Sequence, residues 1–264
     1  MMHKIGFIGC GNMGRAIIKG IVTSGVCEPG DIIASAHTQA TIDAAHEQFG
    51  IDVTLDNTQA ASAEIVVLAV KPYMFDEVVP QIAPALPEDV ILVSIAPAKT
   101  LAWLSETAGV AKVVRLMPNT PAAVGEGMTS VVPNDACTQE DVDRVLAIVN
   151  SFGKSEFIPE KLIDAGSAVA GCAPAFFYMF IEAMADAAVL EGMPRAQAYR
   201  FAAQAAVGSG KMVLESGQHP GALKDAVCSP GGTTIEGVRT LEEMGMRGAV
   251  IDALMATVDK AQSL

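Results

Sequence analysis

A glycine-rich turn close to the start of the chain restricts its fold more than any other feature. The apolar run 4–9 leads into Gly9-Cys10-Gly11-Asn12-Met13-Gly14, and helix-forming residues follow to about Ser24. The three glycines permit a tight turn, a close approach of a pyrophosphate to the backbone and close helix packing. The helix start offers free N–H groups to the anion. This order predicts a dinucleotide site, with an ordinary strand-to-helix turn as the alternative.

Short apolar runs alternate with helix-like segments through the first half of the chain. The runs cover 4–9, 31–36, 64–70, 90–95 and 110–116. Continuous apolar strands separated by helices are typical of a doubly wound, mostly parallel α/β sheet that is covered on both faces. We therefore predict a dinucleotide-binding Rossmann domain over residues 1–159.

The second half differs in composition: it has Ala-rich and Met-rich segments that are interrupted by Gly and Pro, and it has no strand-like run. We predict an all-α domain over 160–264. About a hundred residues make a small core, so we expect this domain to dimerise. The apolar stretch 168–181 is shorter than the roughly 20 residues that span a bilayer. We interpret it as a buried helix and expect no membrane partner.

Composition and charge narrow the range of partners. The formal net charge of −13 disfavours nucleic acid, because phosphate binding needs clustered Lys and Arg. The five cysteines are scattered without C-x-x-C spacing, which favours a reducing compartment and indicates neither a disulfide framework nor a metal site. No export signal is visible in the first residues. We expect a cytoplasmic protein with a small-molecule partner.

The end of the second predicted strand bears on cofactor choice. Sites that prefer NAD(H) carry an Asp or Glu about 20 residues beyond the glycines. Here the strand ends in 33–38 without an acid, and Ser35, His37 and Thr38 are able to bind a 2'-phosphate. The sequence favours NADP(H), and use of NAD(H) stays open because no Arg lies nearby. His37 is equally compatible with an exposed loop residue that has no role.

Two further segments follow predicted strands and are expected to line the ligand crevice. Ala69-Val70-Lys71-Pro72 ends one strand with a rigid Lys-Pro turn, although a loop Lys is often only solvated. The segment 115–121 contains two prolines and Asn119, which offers a donor and an acceptor near the expected nicotinamide end.

One motif in the helical half combines hydroxyls with glycines. In the segment 229–234, Ser229 precedes Pro230, two glycines follow, and Thr233 and Thr234 open an apolar-periodic helix. Free N–H groups and hydroxyls together form an anion-binding corner. The alternative is a capped turn between helices.

The full set of motifs resembles the pyrroline-5-carboxylate reductase family along almost the whole chain. The motifs are G-x-G-N-M-G, A-V-K-P, M-P-N-T-P, G-x-x-P-A-F and L-K-D-x-V-x-S-P-G-G-T-T. The last is specific to that family, and the first is shared by many dehydrogenases. The resemblance implies a Rossmann domain with a helical dimerisation domain, and NADPH-dependent reduction of 1-pyrroline-5-carboxylate to L-proline. It also implies a homodimer or a pentamer of dimers.

The resemblance also implies the site residues. Together with the motif analysis, it assigns the cofactor to Ile8, Gly9, Cys10, Gly11, Asn12, Met13, Gly14, Ser35, Ala36, His37, Thr38, Asn57, Ala69, Val70, Lys71, Pro72 and Asn119. The substrate is assigned to Ser229, Gly232, Thr233 and Thr234, with Thr234 as the catalytic residue.

Two departures from the family pattern bear on substrate choice and turnover. The usual S-G-S-G-P-A is Ala-Gly-Cys-Ala-Pro-Ala at 170–175, and the usual A-A-G is Ala-Pro-Ala at 96–98. They leave a non-catalytic NADPH-binding relative as one alternative, and substrate ring size, five or six members, stays open. A β-hydroxyacid dehydrogenase is another alternative, but its proton-carrying Lys has no counterpart in 167–190.

Overall fold

The computed structural model describes residues 2–97 and 99–263. They form two compact units, one ending at Gly171 and the other covering Cys172–Ser263. The first unit contains one sheet. Its strands are β1 (Ile5–Ile8), β2 (Ile32–Ser35), β3 (Asp52–Thr54), β4 (Ile65–Leu68), β5 (Ile91–Ser94), β6 (Lys112–Met117), β7 (Gly127–Pro133) and β8 (Gly153–Phe157).

The sheet has the order β3-β2-β1-β4-β5-β6-β7-β8. Strands β1 to β6 are parallel, β7 runs antiparallel to β6, and β8 runs parallel to β7. The predicted mostly parallel sheet is confirmed, and all five predicted strands are present. The strands β3, β7 and β8 were not predicted. Their sequences lack a continuous apolar run, because β3 and β8 are partly exposed edge strands and β7 contains Thr129 and Ser130.

Helices cover both faces of this sheet. They are α1 (Asn12–Ser24), α2 (Gln39–Phe49), α3 (Asn57–Ala60), α4 (Phe75–Ile82), α5 (Leu101–Ala108), α6 (Gln139–Asn150) and α7 (Ile163–Gly166). Alternate strand residues point to opposite faces. Phe7 therefore joins the core cluster that contains Ile17 and Phe152, whereas its neighbour Ile8 joins the cluster that contains Phe75 and Ile82. Two apolar cores hold the strand ends in place.

The second unit is helical throughout its described residues. A π-helical turn at Ser167–Cys172 leads into α8 (Ala173–Leu190), which is followed by α9 (Arg195–Ser216), α10 (Pro220–Ala226), α11 (Thr233–Glu243) and α12 (Met246–Gln262). Its buried apolar residues are small, namely Ala173, Ala185, Ala198 and Ala202. Small residues permit close helix approach, but they bury little apolar surface.

The prediction of a buried helix at 168–181 is wrong for the single chain. Phe177 is 60% exposed, and Tyr178 and Met179 are exposed as well. The continuous helical segment Glu160–Leu190 is long and apolar enough to cross a membrane by those two criteria alone, and 17% of its apolar window is buried. The described residues of the second unit include so few large buried side chains that they form no core able to cover the apolar face of α8.

The first unit extends beyond residue 159, the domain end expected from the sequence. Ile163 packs in a small apolar cluster with Met117 and Val132, which belong to β6 and β7. The Glu160 carboxylate accepts a hydrogen bond from Arg115 at 2.6 Å. These contacts attach the start of the helical segment to the sheet, so the compact unit ends at Gly171 although the last strand ends at Phe157.

Candidate active site

The loops that follow β1, β2 and β4 lie side by side at one end of the sheet. The strand order reverses between β1 and β4, and ligands of open α/β sheets bind beyond the carboxyl ends of the strands at such a point. The Gly9 N–H donates to the Ser35 carbonyl at 3.1 Å, and the Ala69 N–H donates to the Ile8 carbonyl at 2.8 Å. The first three predicted cofactor segments therefore share one edge.

Two of the three motif glycines are required by contacts within the protein. Gly9 has φ of +100°, and a Cβ there would lie 2.9 Å from the Ala69 carbonyl carbon. A Cβ on Gly14 would lie 3.0 Å from the Gly9 carbonyl oxygen. At Gly11, by contrast, a Cβ would meet no atom of the described residues within 4 Å. Internal packing does not explain the missing side chain at Gly11, but a ligand that approaches the backbone would.

The start of α1 offers unpaired donors beside Gly11. Gly11 is the N-cap of α1 in an extended conformation, no side chain caps the helix, and its first turn contains no acidic residue. The first N–H groups of a helix have no partner inside it, and they favour an anion. Asn12 is exposed and Met13 half-buried at this point. The residues present thus fit the pyrophosphate of a dinucleotide.

The side chains of Ile8 and Cys10 point away from this cradle. Both are buried in the core, Ile8 with the cluster around Phe75 and Cys10 with the cluster around Ile17. Burial raises the pKa of the Cys10 thiol above its ordinary value. These two predicted cofactor residues therefore offer backbone groups only, and the Cys10 thiol is held as an apolar core group.

The predicted direct contact of Ser35 with a phosphate is corrected by its burial. Ser35 is 0% exposed, and its hydroxyl donates to the Asn57 side-chain oxygen at 2.7 Å. Ala36 is half-buried, and His37 and Thr38 are exposed. Thr38 is also the N-cap of α2 and accepts from the Thr41 N–H. The groups available to a ligand at this edge are thus Ala36 to Thr38 and the Asn57 amide.

The segment after β4 provides the opposite wall of the same edge. Ala69 and Val70 are half-buried, Lys71 is exposed, and Pro72 begins a short 3-10 turn that ends at Met74. A fixed proline backbone at the turn restricts where Lys71 lies. The geometry agrees with the predicted lining role of these four residues, which stays a prediction.

The contacts of Asn119 lie within the protein, and its predicted role at the nicotinamide stays a prediction. Asn119 is buried, its amide nitrogen donates to the Ala170 carbonyl at 2.9 Å, and its amide oxygen accepts from the Met128 N–H at 2.8 Å. Both ends of the side chain therefore have partners. Asn119 instead ties the loop after β6 to β7 and to the π-helical turn.

Arg115, the arginine of the predicted pocket segment 115–121, is also a structural residue. Arg115 is 5% exposed and donates to the Glu160 carboxylate, which also accepts from the Leu101 N–H at 2.8 Å. Its Nε has no partner among the described residues, but the guanidinium is buried and paired with Glu160 through its other end, so it is poorly placed to hold a substrate carboxylate. No local pattern indicates Glu160 as its partner, because the two residues lie 45 positions apart.

The glycine-rich turn of the second unit has a tightly folded backbone. Gly231 has φ of +67°, in the left-handed region, and the Gly232 N–H donates to the Ser229 carbonyl at 3.0 Å. A Cβ on Gly232 would lie 2.3 Å from the Ser229 hydroxyl oxygen. The Ser229 side chain therefore lies against Gly232. The Gly232 N–H, expected to anchor a carboxylate, is already used inside the turn.

Thr234 does not cap the helix that it helps to open. Helix α11 begins at Thr233, its N-cap is Gly232, and no side chain caps it. Thr233 and Thr234 are exposed, and the Thr234 hydroxyl has no hydrogen bond to any described residue. This turn therefore has no side-chain cap at the start of α11, and the ligand-binding role of the motif stays a prediction. The hydroxyls and the first N–H groups of α11 are available to a ligand.

The two sequence departures fall in different settings. Ala96 is buried, and its N–H lies 3.5 Å from the Ser94 hydroxyl, whereas Ala98 lies outside the described residues. Cys172 ends the π-helical turn, and Pro174 stands near the start of α8. Because proline lacks an N–H, the helical hydrogen-bond pattern is interrupted at that point.

The strand order, the glycine turn and the uncapped start of α1 define a dinucleotide-binding oxidoreductase with an added helical unit. Residues 160–264 match the family model for pyrroline-5-carboxylate reductase dimerisation, and residues 4–98 match the model for NADP oxidoreductase, coenzyme F420-dependent. The chain is 53% identical to the pyrroline-5-carboxylate reductase of Escherichia coli K12, with 100% of this chain and 99% of that one covered. It belongs to the pyrroline-5-carboxylate reductase family.

Solved structures agree with this assignment. The pyrroline-5-carboxylate reductase of Coxiella burnetii superposes with a TM-score of 0.92 at 31% identity and covers 100% of this chain and 98% of its own. The pyrroline carboxylate reductase of Plasmodium falciparum with NADP bound has a TM-score of 0.87 at 32% identity, with 100% and 99% covered. The resemblance inferred from the motifs is confirmed, and the β-hydroxyacid dehydrogenase alternative is set aside.

Proposed function

We propose that the protein reduces 1-pyrroline-5-carboxylate to L-proline with NADPH, by hydride transfer to a cyclic C=N bond. The observation that carries this proposal is the 53% identity, over the full chain, to an enzyme of that name. The uncapped α1 and the open space at Gly11 support it, since they suit a dinucleotide pyrophosphate. The exposed hydroxyls at the start of α11 suit a small carboxylate.

The chemistry requires orientation more than acid–base machinery. Bound NADPH supplies the hydride. The N–H groups at the start of α1 hold the pyrophosphate, and those of Thr233 and Thr234 hold the substrate carboxylate. The Thr234 hydroxyl donates a hydrogen bond to the ring nitrogen, which directs the C=N bond and assists proton delivery as that nitrogen becomes an amine.

The reaction is tested by following NADPH absorbance with two imines. The purified protein is given pyrroline-5-carboxylate in one assay and a six-membered piperideine carboxylate in the other. Turnover of the first above the second supports the proposal. If the protein binds NADPH but neither imine causes its oxidation, the result would favour the non-catalytic relative.

We expect NADPH to have a higher kcat/KM than NADH in this assay. The segment 36–38 presents no carboxylate to a 2'-phosphate, and the Asn57 amide stands beside it as a hydrogen-bond donor. A charge-assisted hydrogen bond to phosphate contributes about 1.5 to 3 kcal/mol, so we expect a preference of about tenfold or more. NAD(H) is then a poorer cofactor. A higher kcat/KM with NADH would contradict this prediction.

We expect the protein to be a homodimer formed through residues 160–264, alone or as a pentamer of dimers. The exposed apolar face of α8 supports this assembly, and a second copy rather than lipid covers it in our proposal. Light scattering without detergent should give at least twice the chain mass at micromolar concentration. Phe177→Glu should lower that mass, whereas Val124→Glu, at a 75% exposed apolar residue of the first unit, should not. A monomeric wild type would refute the assembly.

The cytosol is the compartment that suits this proposal. All five cysteines are free, and none is placed to form a disulfide. A reducing environment keeps such thiols unpaired. The partners in this proposal are a small imino acid, NADP(H) and further copies of the chain, without nucleic acid.

A further inference from the structure

Three side chains near the end of β2 form a chain of hydrogen bonds. The Ser35 hydroxyl donates to the Asn57 amide oxygen at 2.7 Å, and the Asn57 amide nitrogen donates to the Gln81 amide oxygen at 3.0 Å. Ser35 ends β2, Asn57 begins α3, and Gln81 lies near the end of α4. Three separate elements thus meet at one amide, and we call this chain the Ser–Asn–Gln relay.

The relay determines which end of the Asn57 amide is available to a ligand. The amide oxygen is taken by Ser35, which is fully buried. Ser35 also lies 3.3 Å from the Phe7 carbonyl, but the shorter contact to Asn57 takes its single hydroxyl proton. The amide nitrogen has two hydrogens, and Gln81 accepts only one of them. The half-buried Asn57 therefore keeps one N–H free, while its oxygen is turned into the protein.

This orientation matters because the two ends of an amide act oppositely on an anion. An N–H donates to a phosphate oxygen, whereas an amide oxygen in the same place would repel it. No Asp, Glu, Lys or Arg lies in 35–38, and His37 is the one ionisable side chain of this segment. The other donors at this edge are neutral, so their contribution to recognition of the 2'-phosphate depends on a direction that is held by their neighbours.

We propose that Ser35 and Gln81 are positioning residues for NADPH selectivity, because they hold the free N–H of Asn57 toward the 2'-phosphate of the cofactor. This inference rests on the proposed use of NADPH. Gln81 lies outside every sequence motif and is separated from Asn57 by 24 positions. Neither residue needs to touch the cofactor, since both act through the Asn57 amide.

The test measures binding rather than turnover. Titration calorimetry gives the Kd of NADP+ and of NAD+ for the wild type and for Gln81→Ala. Loss of one hydrogen bond to the amide should weaken NADP+ binding by about three- to tenfold and leave NAD+ binding within about twofold. Gln59→Ala is the matched control, because Gln59 is an exposed glutamine on α3 that accepts from Thr54 at 3.0 Å and lies outside the relay. It should leave both Kd values unchanged.

Two further variants separate positioning from stability. Ser35→Ala should lower the ratio of the Kd of NAD+ to the Kd of NADP+, which measures the preference for NADP+. Asn57→Asp should bring this ratio below one, because a carboxylate repels the phosphate. Equal weakening of NADP+ and NAD+ by Gln81→Ala would overturn the proposal, since a purely structural role affects both cofactors alike. Gln81 is exposed, so this variant is expected to fold even where Ser35→Ala does not.

The same measurements separate a failure of the relay proposal from a failure of the proposed reaction. A wild type that binds NADP+ more tightly than NAD+ but reduces neither imine would refute the proposed reaction. In that case the Kd ratios of the Gln81→Ala and Gln59→Ala variants still decide for or against the relay.

Discussion

Replacing Thr234 by alanine is expected to lower kcat/KM for the imine by about ten- to a thousandfold, or roughly 1.4 to 4 kcal/mol in the transition state. The Thr234 hydroxyl is exposed at the start of α11 and has no partner among the described residues. Its loss removes the hydrogen bond to the ring nitrogen in our proposal, without leaving a protein group unpaired. The Kd of NADPH should stay nearly unchanged.

The control for this variant is another threonine on the same helix. Thr240 is exposed, and its hydroxyl donates to the Glu236 carbonyl at 3.0 Å. Thr240→Ala should keep full turnover, and Thr234→Ser should recover most of it because the hydroxyl is retained. If the Thr234 hydroxyl took no part in the reaction, its alanine variant would keep full turnover. A fully active variant would therefore refute the catalytic role.

Replacing Gly11 by valine is expected to weaken NADPH binding by about a hundredfold, roughly 2.7 kcal/mol, while the protein loses at most about 1 kcal/mol of stability because valine is a poorer helix N-cap than glycine. A Cβ at this position meets no described atom within 4 Å, and the backbone has φ of −79°, which any residue adopts. The Cβ of the added side chain therefore enters open space at the proposed pyrophosphate site. The Kd of NADPH and the thermal midpoint Tm are the two measurements.

Two other glycines provide the comparison. Gly30→Val is the matched control, since a Cβ there also has open space and the residue lies far from the helix start; both Kd and Tm should stay near the wild-type values. Gly14→Val should instead lower Tm, because its Cβ would lie 3.0 Å from the Gly9 carbonyl oxygen. Unchanged NADPH affinity in Gly11→Val would exclude the start of α1 as the pyrophosphate site.

Local signals in the sequence were sufficient for the centre of the first unit. Strands β1, β2, β4, β5 and β6 are almost entirely buried, so each appears as a short, mostly apolar run, although β6 also contains Lys112 and Arg115. The turn at 9–14 needs glycine for reasons that arise within a few residues, and α1 ends at Ser24 as predicted. The start of α11 at Thr233 was also evident from its own neighbours.

The edge strands of the first unit and the end of its domain could not be predicted from local sequence signals. Strands β3 and β8 are partly exposed, and their stability depends on pairing with β2 and β7 rather than on their own composition. The compact unit ends at Gly171 because Ile163 and Glu160 contact residues of β6 and β7 that are distant in sequence. The apolar residues of α8 are exposed in the single chain, and their burial by a second copy is part of our proposal.

By itself, the sequence determined the mostly parallel sheet, the dinucleotide turn and the family, because each depends on neighbouring residues or on motifs in a given order. Only the tertiary structure decided what the polar side chains do. It joined Asn57 to Gln81 across 24 positions, Arg115 to Glu160 across 45 and Asn119 to Ala170 across 51. A hydrogen bond depends on distance and angle between two groups in space, and the chain path that brings such residues together is set by the packing of the whole unit.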